Sequence, residues 1–484
     1  MKTTIAVLEK RGGNATQAVI TTLSSMRLEN SAGFGIATPS TIAIGKDIDA
    51  LQNQKLDSPI VVGYNFSRFL PNYRQHYLKI EDTTLVFDGK IYSPLRTSIA
   101  EVFAEKLQQA DCGRASEALF EDVEGDFSFI IAEPERIIAG RDPIGVQPLY
   151  YGEKRTFAAL ASNRKALWKL GIEKTQSFPP GHLAFVSREG FEFKPIKTLV
   201  YSEPKPVTMQ KAAETLQRLL ERSVRRRVSG TKEIAVAFSG GLDSSVVAFL
   251  ASKCRANVCL FHVSLENRPE TEEAKEAADA LSLPIQVFLF READVEEVVS
   301  RVVKLIEEAD PVKASIGVPF YWTAEKTFEA GFRVLLAGQG ADELFGGYQR
   351  YVDDYLLYGK EKVRKTMFND VFKLHESNIE RDVKICSFHD VELSLPFASY
   401  QIAEFAVNLP IELKIERSAD TLRKLVLRKA AVDMGLPLSI VEKHKKAVQY
   451  ATGINNALKK IAKKQKATVA EYVNKLFLSQ MIKK

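Results

Sequence analysis

Two glycine-rich segments hold the residues best suited to chemistry. The first, Phe238-Ser239-Gly240-Gly241-Leu242-Asp243-Ser244-Ser245, lies between an apolar run at 234–238 and another at 246–250. The first run reads as a buried parallel strand and the second as the start of a helix. Adjacent glycines let a backbone approach a ligand closely. The helix that follows turns unpaired N–H groups and a positive dipole end toward the loop. Phosphate or pyrophosphate suits such a loop. No Gly-Lys-Ser/Thr closes it, so it is not a Walker A loop. A plain Gly-Ser strand-to-helix turn is the competing reading, and the strand and helix on either side argue against it.

The second segment is Ala337-Gly338-Gln339-Gly340-Ala341-Asp342-Glu343-Leu344-Phe345-Gly346-Gly347-Tyr348. Loops at the carboxyl ends of neighbouring parallel strands share one crevice. That places Asp342 near Asp243, and two carboxylates facing a pyrophosphate make a reasonable Mg²⁺ site. Acidic residues answering a helix dipole would explain Asp342 and Glu343 but not the four glycines.

The surrounding elements must position these loops. The first 200 residues read as short strands, among them 41–44, 84–87, 128–132, 137–139 and 182–186, with helical patterns at 15–27 and 99–109. That mixture predicts a layered α+β domain. The run Ser202-Glu203-Pro204-Lys205-Pro206 breaks the chain. Helices at 208–227, 244–251 and 271–281 then alternate with strands at 233–238, 258–263, 285–289 and 334–337, a βαβα rhythm that predicts a doubly wound parallel sheet. Beyond about residue 350 the pattern is mainly helical, with apolar positions at helical period in 398–407 and 422–432.

The 484 residues carry 67 basic and 61 acidic side chains, a net charge of +6, with 45% hydrophobic and 26% charged residues. This is the composition of a soluble globular protein large enough for two or three domains. It argues against a nucleic-acid partner. Arg225-Arg226-Arg227 and the lysines within 459–466 read as solvated helix faces. Cys112, Cys254, Cys259 and Cys386 have no paired spacing, so they read as buried thiols of a reducing compartment, without zinc or disulfides. No run approaches 18 apolar residues, and 1–8 reads as a strand rather than a signal segment. A cytoplasmic protein without a membrane partner is expected, and a homodimer is compatible with it.

Both glycine-rich segments together resemble asparagine synthetase of the class II glutamine amidotransferase type, the first of them being similar to the pyrophosphate loop of ATP pyrophosphatases. The likeness continues through Asp310-Pro311-Val312-Lys313-Ala314-Ser315, Val391-Glu392, Pro396-Phe397, Asn408-Leu409-Pro410, Leu425-Val426-Leu427-Arg428-Lys429-Ala430 and Lys443-His444-Lys445-Lys446. Earlier in the chain, Gly125-Asp126-Phe127, 140–145, 148–152 and 179–182 resemble the family's amidotransferase domain. The resemblance implies an Ntn-hydrolase-like four-layer sandwich over 1–200. An ATP pyrophosphatase domain of the adenine nucleotide alpha hydrolase-like type, with a helical tail, would occupy 206–484. It implies ATP with Mg²⁺ on Asp243 and Asp342. Adenine would lie against Ala237, Val263, Ala337 and Gly338, and phosphates on Ser239, Gly240, Gly241, Leu242, Asp243, Ser244 and Ser245. Aspartate would be adenylated to β-aspartyl-AMP with release of pyrophosphate, and ammonia would then displace AMP. Lys445, or its neighbour Lys446, would offset charge on the phosphates.

The chain departs from the family in both halves. The family's nucleophilic cysteine directly follows the initiator Met, whereas Lys2 stands here. The family's Asn-Gly-Glu reads Asp88-Gly89-Lys90, and an acid at 88 repels the oxyanion that an amide stabilises. The residues that grip glutamine are missing around 99–101 and 65–67. In the second half, Gln339 replaces the Glu of Ser-Gly-Glu-Gly and cannot accept a proton from attacking ammonia. Ser394 and Ser399 replace an Arg and an Asp. The leading reading is an asparagine synthetase-like ligase with a degenerate glutaminase domain, using free ammonia or a partner glutaminase. An adenylating ligase for another carboxylate and a nucleotide-binding regulatory pseudoenzyme are the alternatives. With glutamine as sole nitrogen source, the purified chain is expected to form no amide product; glutamate release would overturn the reading of the first half.

Overall fold

The computed structural model describes residues 3–26, 31–52, 56–67, 77–93, 99–418, 422–443 and 452–481. The chain divides into two compact units, 1–198 and 199–484.

The first unit is built on two antiparallel sheets. Its strands are β1 (Thr3–Glu9), β2 (Ser31–Ala37), β3 (Ile42–Gly45), β4 (Ile60–Ser67), β5 (Tyr77–Ile80), β6 (Thr83–Ser93), β7 (Glu124–Ala132), β8 (Ile137–Arg141), β9 (Tyr150–Glu153), β10 (Phe157–Ala161), β11 (Gln176–Ser177), β12 (His182–Ser187) and β13 (Gly190–Pro195). One sheet runs β11-β9-β10-β1-β4-β2-β3 and the other β13-β12-β8-β7-β6-β5. Side chains on a strand alternate between faces, and β1 shows how this makes layers. Ile5 and Val7 pack outward with Val19, Ile20 and Leu23 of the helix Thr16–Ser25. Ala6 and Leu8 face inward and join Val62, Val86 and Ile130 between the sheets. The far face of the second sheet buries Phe87, Phe127 and Phe129 against Phe103, Leu119 and Phe120 of the helices Ile99–Leu107 and Cys112–Asp122. Helix, sheet, sheet and helix give four layers.

Two helical patterns were expected in this unit, and the described residues hold further helices at Ile48–Gln52, Cys112–Asp122 and Arg164–Lys169. Gly113 and Ser116 dilute the apolar signal of the second. Its start is specified instead by Asp111, whose carboxylate accepts the Arg114 N–H at 3.0 Å, an N-cap contact. Cys112, Cys259 and Cys386 are buried and Cys254 is half-buried, all as free thiols.

The second unit carries the parallel sheet. Its strands are β14 (Glu233–Ala237), β15 (Asn257–Leu265), β16 (Ile285–Phe290), β17 (Val334–Leu336) and β18 (Glu392–Ser394), in the order β16-β15-β14-β17-β18. Every pairing is parallel. The chain winds from β14 to β15 and β16 on one side, then crosses to β17 on the other. The switch point therefore lies between β14 and β17, where such sheets open a crevice. The chain beyond about residue 350 was expected to be mainly helical, and within it β18 adds a fifth strand. Its three residues are too few to show a strand period. Ser394 lies in it, buried, and its carbonyl accepts the Ala337 N–H at 3.2 Å. Among the described residues, no helix is long and apolar enough to cross a membrane.

Lys414 follows the 3-10 turn Ile411–Leu413 and is buried. Burial, reinforced by the charge of Arg364, brings its ammonium down to about 7. Between that value and the unfolded one near 10.4, the unfolded chain binds more protons, so this residue makes stability rise with pH. Lys414→Met is expected to add roughly 2–4 kcal/mol of stability near pH 6 and little near pH 10. Urea melts at both values test this; equal gains would contradict it.

Candidate active site at the switch point

Beyond β14 the chain turns sharply at Gly240. Its φ is +70°, and a Cβ there would lie 2.9 Å from Ala274 Cα, so only glycine fits. The Ser239 N–H donates to Ser244 Oγ at 3.3 Å, and the two hydroxyls are 3.2 Å apart. The helix Leu242–Ser252 begins at Gly241 with no side chain capping its first turn. Its leading N–H groups are therefore placed to receive an anion. His262 on β15 braces the loop from behind: Nδ1 lies 3.0 Å from the Phe238 carbonyl. A carbonyl can only accept, so Nδ1 carries the proton. Burial holds this imidazole below its ordinary pKa, leaving Nε2 as a buried acceptor with no protein partner among the described residues.

The second loop is pressed directly against the first. A Cβ on Gly338 would meet Asp243 Cβ at 2.9 Å, so glycine at 338 sets the approach of the two loops. Asp243 and Asp342 thereby face one point, and that point holds the ammonium of Lys424. Lys424 Nζ donates to Asp243 Oδ1 at 2.6 Å and Oδ2 at 2.5 Å. It reaches Asp342 Oδ1 at 2.6 Å as an ion pair outside directed hydrogen-bond geometry. A Cβ on Gly347 would overlap this pair, 1.8 Å from Asp342 Oδ1 and 2.4 Å from Lys424 Cε. Burial lowers the Lys424 pKa, and Asp243 opposes that shift.

Further out, Glu343 accepts from Tyr348 Oη at 2.5 Å and Asn378 Nδ2 at 2.7 Å. Burial pushes its carboxyl above the ordinary value, and the Tyr348 hydroxyl opposes this. Asn378 sits on a π-helical turn, His375–Ile379, that leads into the helix Glu380–Phe388. Arg381 clamps Asp382 through Nε at 2.7 Å and Nη2 at 2.9 Å, and Gln339 Nε2 donates to the same carboxylate at 2.9 Å. Burial raises the Asp382 carboxyl, opposed first by Arg381 and then by Gln339.

Except for Asp382, which is buried behind Gln339 and Arg381, these side chains line a cavity of about 300 Å³. Of the residues expected at a nucleotide site, Ala237, Ser239, Gly241, Leu242, Asp243, Ser244, Val263, Gly338, Gln339 and Asp342 line it. Gly240, Ser245 and Ala337 do not. Gly240 packs on the helix Pro269–Leu281, Ser245 is buried within its own helix, and Ala337 is buried at the strand end. Lys445 and Lys446, like Lys2, lie outside the described residues. Sequence reasoning missed Lys424, Arg381, Asp382 and Asn378. Lys424 left one weak signal, a cation at the start of a helix, where the dipole opposes it.

Among the described residues, no group of three or more His, Cys, Asp or Glu could hold a metal ion. Mg²⁺ needs fewer protein ligands: one or two carboxylates with substrate phosphates and water suffice. Asp243 and Asp342 supply hard oxygens converging on one cation, so the donor set fits.

Sequence models of the family described as asparagine synthase match residues 215–361 and 353–484, and the glutamine amidotransferase domain matches 74–169. A Methanocaldococcus jannaschii protein named as an asparagine synthetase (glutamine-hydrolyzing) is 30% identical over 488 residues, covering 89% of this chain and 90% of that one. Asparagine synthetase (glutamine-hydrolyzing) of Zea mays is 28% identical over 400 residues, covering 78% and 67%. Among solved structures, glutamine phosphoribosylpyrophosphate amidotransferase from B. subtilis overlaps 59% of this chain and 65% of its own, with 12% identity and a TM-score of 0.36.

The Gln339–Asp382 contact makes a test of position 339. A Glu there would set two carboxyl groups at hydrogen-bond distance, and one must keep a proton. The raised pKa of the folded pair costs nothing below the unfolded Glu value of about 4.3, and the cost grows as pH rises through the folded value. Gln339→Glu is therefore expected to match the parent near pH 4 and to lose roughly 1–3 kcal/mol near pH 8. Thermal melts at the two values check this; a constant difference would contradict it.

Proposed function

Because the chain belongs to the asparagine synthase family, we propose that this ATP-dependent ligase adenylates the side-chain carboxylate of aspartate and passes it to ammonia. The observation that carries the reading is the pair of loops meeting at the sheet's switch point, with open helix N–H groups on one and a carboxylate on each. The loop 239–245 is assigned the β and γ phosphates, and adenine lies against the ends of β14 and β15. When bound, Mg²⁺ supplies charge neutralisation at the phosphates. Asp243 and Asp342 would hold it. The aspartate carboxylate attacks the α phosphorus, the α–β bridging oxygen leaves with pyrophosphate, and ammonia then displaces AMP. By family resemblance, Lys445 or Lys446 offsets charge on the departing phosphates.

Gln339 and Asp382 bear on the second step. Ammonia attacking the acyl adenylate must shed a proton, and the Gln339 amide cannot take one. One Nε2 N–H is held by Asp382, and the carbonyl oxygen can accept a hydrogen bond that orients the nucleophile but cannot take its proton. That commitment also favours a second reading, adenylation of a different carboxylate.

The first unit supports ammonia rather than glutamine. Asp88 stands where an oxyanion-stabilising amide is expected, and its carboxylate already accepts from Gln147 Nε2 at 2.7 Å. A carboxylate offers no donor to a developing oxyanion.

Pyrophosphate release from Mg-ATP is expected to require aspartate, to rise with ammonium and to accompany asparagine formation. Asp243→Asn should lower that release by at least ~100-fold. Normal release by the variant would sink the site assignment, and release dependent on another carboxylate would select the second reading.

A further inference from the structure

Lys424 is held against three opposing costs. Its backbone is left-handed, φ 62° and ψ 44°, a conformation that non-glycine residues seldom adopt. Its side chain is only 4% exposed, and burying an ammonium is unfavourable unless it is paired. It also occupies the N-cap position of the helix Leu425–Met434 without a side-chain cap, where the dipole repels a cation. Both carboxylates of the Asp243–Asp342 pair offset these costs, each contacting Nζ within 2.6 Å.

That geometry makes the ammonium and a divalent ion rivals for the same oxygens. Mg²⁺ binds carboxylate oxygens at about 2.0–2.1 Å, so it and the ammonium cannot share one position. A metal ion arriving alone would face two carboxylates already neutralised in part by Lys424. The displaced ammonium would then be left in a pocket that Arg423 and Arg428 also line. A triphosphate changes the balance, because its oxygens can receive the ammonium while the metal takes the carboxylates.

We propose that Lys424 is the resident cation of the Asp243–Asp342 pair and makes divalent-metal binding conditional on nucleotide. The ammonium leaves the carboxylates for the phosphates when metal and nucleotide enter together. This rests on the assignment of Asp243 and Asp342 as the metal ligands.

The test is Mn²⁺ binding to the full chain, followed by the loss of the free-ion electron paramagnetic resonance signal, with and without α,β-methylene-ATP. The parent protein is expected to bind Mn²⁺ at least ten-fold more tightly with nucleotide than without it. Lys424→Met should bind Mn²⁺ at least ten-fold more tightly than the parent when no nucleotide is present, and adding Asp243→Asn should abolish that gain. Equal Mn²⁺ affinity of the parent with and without nucleotide would overturn the proposal, as would a folded Lys424→Met without a gain. If Lys424→Met does not fold, Lys424→Gln and the parent titration alone decide it. If the ATP analogue binds to none of these proteins, the ligase reading falls, while Mn²⁺ binding to the variants without nucleotide still decides the role of Lys424.

Discussion

Two carboxylates and one ammonium, drawn together at the ends of two parallel strands, are the constraint on which the second unit's site depends. Unit charges of like sign 4 Å apart repel by about 4 kcal/mol at an effective dielectric of 20. Asp243 and Asp342 both meet the Lys424 ammonium, which offsets such repulsion. Glycine at 338 permits the approach, and glycine at 347 leaves room for the Lys424 stem. The sheet order makes it possible, because β14 and β17 are neighbours although almost a hundred residues separate them in the chain. Ion pair, loop spacing and strand order are thus one arrangement.

Around that centre, two buried carboxylates are each met by two donor side chains. Glu343 is met by Tyr348 and Asn378, and Asp382 by Arg381 and Gln339. Leaving any of these buried groups unpaired costs about 1–3 kcal/mol, so the wall of the cavity is tied to specific rotamers. This gives Gln339 a structural role. Its amide is complementary to Asp382, so Gln339 is built into the network around it.

In the first unit, a motif that resembles the family's serves the fold. Arg141 donates to the carbonyls of Gly145, Gln147 and Phe178 and to Ser177 Oγ. Asp142 accepts from the N–H groups of Ile144, Gly145, Val146 and Gln147. The run 140–145, which resembles an amidotransferase segment, is therefore a buried staple that holds a turn.

Local physics was enough for the layered first half, the parallel sheet of the second and the two glycine-rich loops at strand ends. Their signals, strand alternation, buried apolar runs and glycines beside a helix start, lie within a few residues of one another. The sequence also made Asp243 and Asp342 candidate partners, since both follow strands of one sheet. Only the tertiary structure supplied Lys424, 181 residues from Asp243, because ion pairing across such a separation leaves no periodic trace. The same holds for β18, whose three residues become a strand only beside β17. Asp382, too, is an ordinary polar residue of a helical segment until burial places it behind Gln339 and Arg381 of the cavity wall. Charge and burial act through space, so a chain can announce its loops locally while the partners that neutralise them are decided by the fold.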